Sequence, residues 1–150
     1  MSPDVNDLYR NSIVDHYKKP RNYREMENAN RKGEGNNTLC GDRFNVFFRI
    51  EDNHIADISF TGSGCAIATA SASMMTENLK GKTLDGALSV YAEFMELLSG
   101  LTTPENHRFL GELSVFIGVR GYPARIKCAA FAWKIFLGAL EKNKAQLYTD

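Results

Sequence analysis

Apolar positions near the start of the chain recur at helical spacing, through Val5, Leu8, Tyr9, Ile13 and Tyr17, until Pro20 stops the pattern. Ser2 and Pro3 read as N-cap and first helical position, with Asp4 and Asp7 in the first turn. Residues 21–37 are rich in Asn, Arg, Glu and Gly and read as loop or sheet edge. Over Arg43–Glu51 the period changes to two, with Phe44, Val46, Phe48 and Ile50 on one face. Asp52-Asn53-His54 makes a turn and Ile55–Thr61 a second strand, together a hairpin. Everything after Cys65 reads as helical. One helix runs from about Cys65 to Lys80 and ends at Gly81; a second is N-capped by Thr83, with Leu84, Leu88, Tyr91, Met95 and Leu98 as its stripe. A polar loop with Pro104 leads to a short helix over about Phe109–Ile117. Gly118, Gly121 and Pro123 then break the chain. Pro123 opens a last helix through about Lys142, with Cys128, Ala132, Ile135, Phe136 and Ala139 facing inward. A small antiparallel sheet followed by helices predicts an α+β sandwich, with the helices packed on one face of the sheet.

Composition narrows the class. At 150 residues and 43% hydrophobic, residues 1–150 suffice for one domain with one core and no disulfide support. Lys+Arg 18 against Asp+Glu 18 gives zero formal charge, without the basic excess of a general nucleic-acid binder. No run approaches the ~18 apolar residues of a membrane span, and the first residues lack the pattern of a signal peptide. Three widely spaced cysteines argue against a disulfide framework. The expectation is a soluble, intracellular, single-domain protein with reduced thiols.

Candidate chemistry gathers on those cysteines. Cys40 and Asp42 flank Gly41, whose missing Cβ permits a bend that lets thiol and carboxylate converge. Cys65 follows Gly62-Ser63-Gly64 where a strand hands over to a helix, near the positive end of the helix dipole, which favours thiolate. Cys128 stands early in the last helix behind Arg125 and Lys127, whose charges act in the same direction. Three thiolates and one carboxylate complete a tetrahedral set for zinc or iron. No spacing is a Cys-x-x-Cys, however, and each cysteine taken singly also reads as a buried structural thiol, Cys128 most of all. His54 reads as solvated in its turn, His16 as a helix-end cap, and His107 lies far from the cysteines in sequence. Trp133 reads as core, and Lys18-Lys19-Pro20-Arg21 as a solvated face or docking patch.

The segments Asp15-His16-Tyr17-Lys18-Lys19-Pro20-Arg21-Asn22, Leu39-Cys40-Gly41-Asp42, Gly62-Ser63-Gly64-Cys65-Ala66-Ile67 with Ala70–Met75, and Arg125-Ile126-Lys127-Cys128-Ala129 with Ala132-Trp133 occur in this order. In these segments the chain resembles the U-type iron–sulfur cluster assembly proteins, the IscU/SufU/NifU family, along nearly its whole length. The resemblance implies the sandwich of SufE- and NifU-like proteins and a cytoplasmic role in iron–sulfur cluster assembly.

Two departures resemble the SufU branch. The stretch between Cys65 and Cys128 is longer than in scaffold-branch chains, with the extra length around Leu101–Val119. Lys127 stands where the scaffold branch carries a histidine, and a protonated lysine cannot ligate a metal. The Leu-Pro-Pro-Val-Lys stretch that scaffold proteins offer their chaperone is replaced by Gly121-Tyr122-Pro123-Ala124-Arg125. Thr38 and Ala68 also replace a commoner proline and serine without removing a ligand. The resemblance implies Zn²⁺ held by Cys40, Asp42, Cys65 and Cys128, and Cys40 as acceptor of sulfur from a PLP-dependent, SufS-like cysteine desulfurase. A desulfurase histidine would replace Cys40 on the metal, and other Suf assembly proteins are further expected partners. The implied alternative is a scaffold holding iron or a transient [2Fe–2S] cluster on the same residues for transfer to apo-proteins.

Overall fold

A computed structural model describes residues 5–38, 41–100, 110–142 and 144–149. Helix α1 (Val5–Lys18) leads into strands β1 (Arg31–Asn37), β2 (Asp42–Glu51) and β3 (His54–Ser63). Helices α2 (Ala66–Leu79) and α3 (Leu84–Ser99), a 3₁₀ helix over Gly111–Val119, helix α4 (Pro123–Lys142) and strand β4 (Lys144–Thr149) follow. The sheet order is β3-β2-β1-β4, with β1, β2 and β3 antiparallel and β4 parallel to β1. The α+β sandwich is as the sequence predicts; β4 is the exception to an all-helical second half. The expected N-cap at Ser2 and Pro3 and the Pro104 loop lie outside the described residues.

The β2–β3 hairpin turns through Asp52 (φ 50°) and Asn53 (φ 63°), the two successive positive-φ positions that match the twist of paired strands. Phe44, Val46 and Phe48 on β2, with Ile58 and Phe60 on β3, are buried beneath the helices. Phe48 meets Phe136 of α4 with ring centroids 4.8 Å apart, and Phe44 meets Phe131 at 6.1 Å.

Strand β1 lies between β2 and β4, although its residues, Arg-Lys-Gly-Glu-Gly-Asn-Asn, have little strand propensity. Its core-facing positions are Gly33 and Gly35, and the absent side chains let α4 lie against the backbone. A Cβ on Gly35 would stand 2.7 Å from Ile135 Cδ1 and 3.0 Å from Phe131 Cζ. The glycines that suggest a loop are here a packing surface.

Helix α2 shows no stripe because it is buried on nearly every side, from Ile67 to Thr76 and again at Leu79. Its run of Ala, Ser and Thr keeps it thin enough to sit between α1 and α4. Ser71 Oγ donates to Ala129 O at 2.6 Å and accepts from Trp133 Nε1 at 3.0 Å, so the buried tryptophan is core with its polar atom satisfied.

Two helix faces differ from expectation. In α3 the buried positions are Ala87, Val90, Phe94, Leu97 and Leu98, while Leu88 is exposed. The face rotates because Phe94 is held between Trp133 (4.7 Å) and Phe116 (5.6 Å), which the stripe alone does not reveal. In α1, Ile13 and His16 face inward and Tyr17 is exposed. The 3₁₀ geometry of Gly111–Val119 replaces the expected short helix over Phe109–Ile117. Thr83 does N-cap α3, accepting from Gly86 N–H at 3.0 Å, and α4 spans the expected Pro123–Lys142.

Gly35→Ala should lower the thermal unfolding midpoint, with an overpacking cost of about 1–3 kcal/mol. Adding Ile135→Val should recover part of that loss, because it removes the methyl nearest the new Cβ. Strictly additive losses in calorimetry would contradict close packing of β1 on α4.

Candidate metal centre

At the end of β1, Asn37 pairs with Asp42 across the connection to β2. Gly41 takes φ +72° and its N–H donates to Asn37 O at 2.8 Å, the bend expected of it. Asp42 thereby opens β2 with its carboxylate fully buried. β3 runs back beside β2 and ends at Ser63, so Gly64 crosses directly over that carboxylate. A Cβ on Gly64 would stand 2.6 Å from Asp42 Oδ1, so a larger residue would push the carboxylate aside. Cys65 N–H then donates to Asp42 Oδ1 at 2.9 Å.

Cys65 is the N-cap of α2, its Sγ accepting from Ala68 N–H at 3.4 Å. Cys128 reaches the same point from the second turn of α4 and is buried. One ligand atom each from Asp42, Cys65 and Cys128 lie within 4.8 Å of one another. Cys40 lies two positions before Asp42, outside the described residues.

The electrostatics of this cluster call for a cation. A hydrogen bond from Cys128, helped by the Ala68 and Ile67 amides at the head of α2, brings the Cys65 thiol down to about 6; burial and the Asp42 carboxylate oppose the shift. At neutral pH a thiolate therefore stands beside a buried carboxylate. Asp42 Oδ2 is buried with no hydrogen-bond partner among the described residues, and leaving such an oxygen unpaired is costly. Two sulfurs and one free carboxylate oxygen fit zinc or iron in donor type.

Other candidates separate clearly. Arg125 and Lys127 are exposed, an ordinary solvated helix start. His54 is exposed, its Nδ1 2.8 Å from Asp52 O, and His107 lies outside the described residues. Arg21, in the basic run after α1, pairs with Asp15 at 2.6 Å in an exposed contact. His16 is not a helix-end cap. It is buried, with Nδ1 2.7 Å from Ser73 Oγ and Nε2 2.9 Å from Glu112 Oε1 and 3.7 Å from Glu77 Oε1. Arg21 N–H donates to the same Ser73 oxygen at 2.8 Å, and both ring nitrogens of His16 have partners. This network joins α1, α2 and the 3₁₀ helix, and sequence reading missed it because its members are up to 96 positions apart. The only local signal was a histidine three residues after Ile13, on the inward face of α1.

The fold is that of a known family. Residues 8–129 match the family model described as the NifU-like N terminal domain. The chain belongs to this family. Among its NifU-like relatives is a "Zinc-dependent sulfurtransferase SufU" of Bacillus subtilis, 40% identical over 143 residues, which is 95% of this chain and 93% of that protein. An "Iron-sulfur cluster assembly scaffold protein IscU" of Streptococcus pyogenes is 35% identical over 147 residues, 97% of this chain and 91% of the relative. The FiSufU structure from Fervidobacterium islandicum AW-1, described as a candidate assembly scaffold for the SUF system, superposes with a TM-score of 0.82 at 34% identity. That match covers 91% of this chain and 99% of the other. This NifU-like chain is an iron–sulfur cluster assembly protein of the IscU/SufU family. No described helix is long and apolar enough to cross a membrane.

In metal-free protein, alkylation of Cys65 followed peptide by peptide should reach half its limiting rate near pH 6. Cys128→Ala should move that midpoint upward, since removing the hydrogen-bond donor disfavours thiolate. A midpoint that stays in place would mean that Cys128 does not set the acidity of Cys65.

Proposed function

We propose that this protein is a zinc-dependent sulfur acceptor for a PLP-dependent cysteine desulfurase, with Cys40, Asp42, Cys65 and Cys128 as metal ligands and Cys40 as the acceptor. The observation that carries the reading is the convergence of Asp42, Cys65 and Cys128, with Asp42 Oδ2 buried and without a hydrogen-bond partner among the described residues. The likeness to the sulfurtransferase SufU supports transfer, and the exposed Lys127 adds no fifth donor to the cluster.

Zinc bound there would keep its cysteines deprotonated at neutral pH and add to folding free energy. The remaining work falls to the chain. Asp42 would offer a carboxylate oxygen to a bound metal, while the Cys65 amide holds its Oδ1 and so orients the carboxylate. Cys65 caps α2 and Cys128 lies on α4, two helices joined by the hydrogen bond from Ser71 to Ala129. Cys40 belongs to the β1–β2 connection. Its thiolate would attack the outer sulfur of the desulfurase persulfide, forming a new S–S bond as the old one breaks. The desulfurase cysteine leaves as thiolate, and the persulfide now sits on Cys40.

The second reading is a scaffold on which iron and sulfide assemble as cargo into a [2Fe–2S] cluster, supported by the likeness to the streptococcal scaffold protein. Anaerobic purification discriminates: tightly held zinc near one per chain supports transfer, and bound iron with acid-labile sulfide supports the scaffold.

Removing zinc with a chelator should lower the melting temperature, because a ligand that binds only the native state stabilises it by mass action. An unchanged melt after verified removal would leave zinc without a structural role. Cys40→Ser should abolish stimulation of desulfurase turnover, since a serine hydroxyl is a far weaker nucleophile than a thiolate. Asp42→Ala should alter zinc exchange while Cys40 can still be persulfidated, as read by mass spectrometry. Wild-type stimulation by Cys40→Ser, or added sulfur mapping only to Cys65 or Cys128, would overturn the acceptor assignment.

A further inference from the structure

Strand β3 is an edge of the sheet, so alternate residues turn their N–H and C=O groups away from β2. The segment Asn22–Arg24 covers part of that edge. Phe60 N–H donates to Asn22 O at 3.1 Å, and Arg24 N–H donates to Phe60 O at 3.0 Å. Two residues further along β3, at Gly62, a side chain takes over from the backbone. The Tyr23 phenol donates to Gly62 C=O at 2.5 Å and accepts from Gly62 N–H at 3.1 Å. Its ring stands edge-on against Phe60, with centroids 5.1 Å apart and planes at 86°. One hydroxyl therefore satisfies both backbone groups of a single residue, and aromatic contact holds it in place.

Gly62 is where the edge most needs holding. It takes φ +126°, and a Cβ there would come within 2.1 Å of Arg43 O. Glycine alone fits this geometry, yet glycine is also the residue least able to maintain one conformation by itself. The next residues are Ser63, Gly64 and Cys65. Gly64 lies against Asp42 Oδ1, and the Cys65 amide donates to that same oxygen. The turn from Gly62 to Cys65 thus has two anchors, the Tyr23 phenol at its start and the Asp42 carboxylate at its end.

We propose that Tyr23 is a positioning residue for the Asp42–Cys65–Cys128 centre: by clamping Gly62 it sets where the Cys65 amide and sulfur meet Asp42. The proposal rests on the metal-centre reading, and it adds a residue outside the ligand set, 42 positions before Cys65 and exposed at the sheet edge. Tyr23 contributes no ligand. It acts through the backbone.

Tyr23→Phe keeps the ring against Phe60 and removes only the hydroxyl, and Tyr17→Phe alters another exposed tyrosine as a control. In the metal-free protein, hydrogen exchange at Gly62 and Cys65 should quicken in Tyr23→Phe while the β1–β2 amides stay protected. In zinc-loaded protein, loss of zinc to a chelator should quicken roughly tenfold, the scale set by one or two net hydrogen bonds. In cobalt-substituted protein, the thiolate-to-cobalt absorption should change in shape, because the sulfur of Cys65 is no longer held in one place. Tyr17→Phe should match wild type in all three measurements. Wild-type exchange at Gly62 and Cys65 in Tyr23→Phe would overturn the proposal, as would faster exchange spread evenly over the sheet, which marks a general stabiliser. If wild-type protein retains no zinc, the metal-centre reading fails by itself. The clamp is then decided by the amide exchange, localised quickening supporting it and unchanged rates refuting it.

Discussion

A carboxylate buried where β2 begins imposes a demand on everything around it. Asp42 has one oxygen bound by the Cys65 amide and the other without a hydrogen-bond partner among the described residues. Burying an ionised carboxylate costs several kcal/mol unless opposite charge or hydrogen bonds compensate. The amide supplies part of that compensation, and a metal cation is what the second oxygen and two adjacent sulfurs are suited to receive. The surroundings keep this arrangement from relaxing. Gly64 leaves space for the Asp42 carboxylate where any Cβ would displace it, and the head of α2 holds Cys65 in its capping position.

The helices can deliver two sulfurs to one point because α2 is thin. Its alanines, serines and threonines let α1 and α4 approach from both sides, and Ser71 joins α2 to α4 through Ala129 and Trp133. Ser73, two residues further on and so on the opposite side of the helix, joins α2 to α1 through His16. Hydroxyls within a buried helix thus settle their own hydrogen bonding by tying neighbouring helices together, which specifies their relative positions as well as their proximity. The Asp42–Cys65–Cys128 cluster at one end of α2 and the His16 network on its other face share this frame.

Relatives named as a sulfurtransferase and as scaffolds use one family fold, so fold alone does not choose between sulfur transfer and cluster assembly. Here the position before Cys128 is an exposed lysine, and the 3₁₀ helix places Glu112 against His16 on α1. These features concern donor count and the packing around the frame, and the backbone path of the cluster does not depend on them.

The elements whose signals are local were legible in the chain. The two-residue turn at Asp52-Asn53, the alternation Phe44-Val46-Phe48, the Thr83 cap and the proline opening of α4 each involve neighbours in sequence, and so did the Gly-Ser-Gly approach to Cys65. Asp42, Cys65 and Cys128 could be named as candidates because each stands at or near an element boundary. What the chain did not disclose depends on contacts between distant segments. Gly33 and Gly35 read as loop until α4 lies on them, since their value is the side chain they lack. The stripe of α3 rotates because Phe94 fits between Trp133 and Phe116, and β4, in a half that reads as helical, is a strand because β1 offers it a parallel edge. Tyr23 has no periodic signal and His16 only its place three residues after Ile13; their roles arise only when Ser73 and Gly62 arrive from 57 and 39 positions away. The sequence by itself determined which residue types were available and where the backbone bends. Tertiary structure decided which of them meet, because hydrogen bonding and close packing act over a few ångströms and are indifferent to separation along the chain.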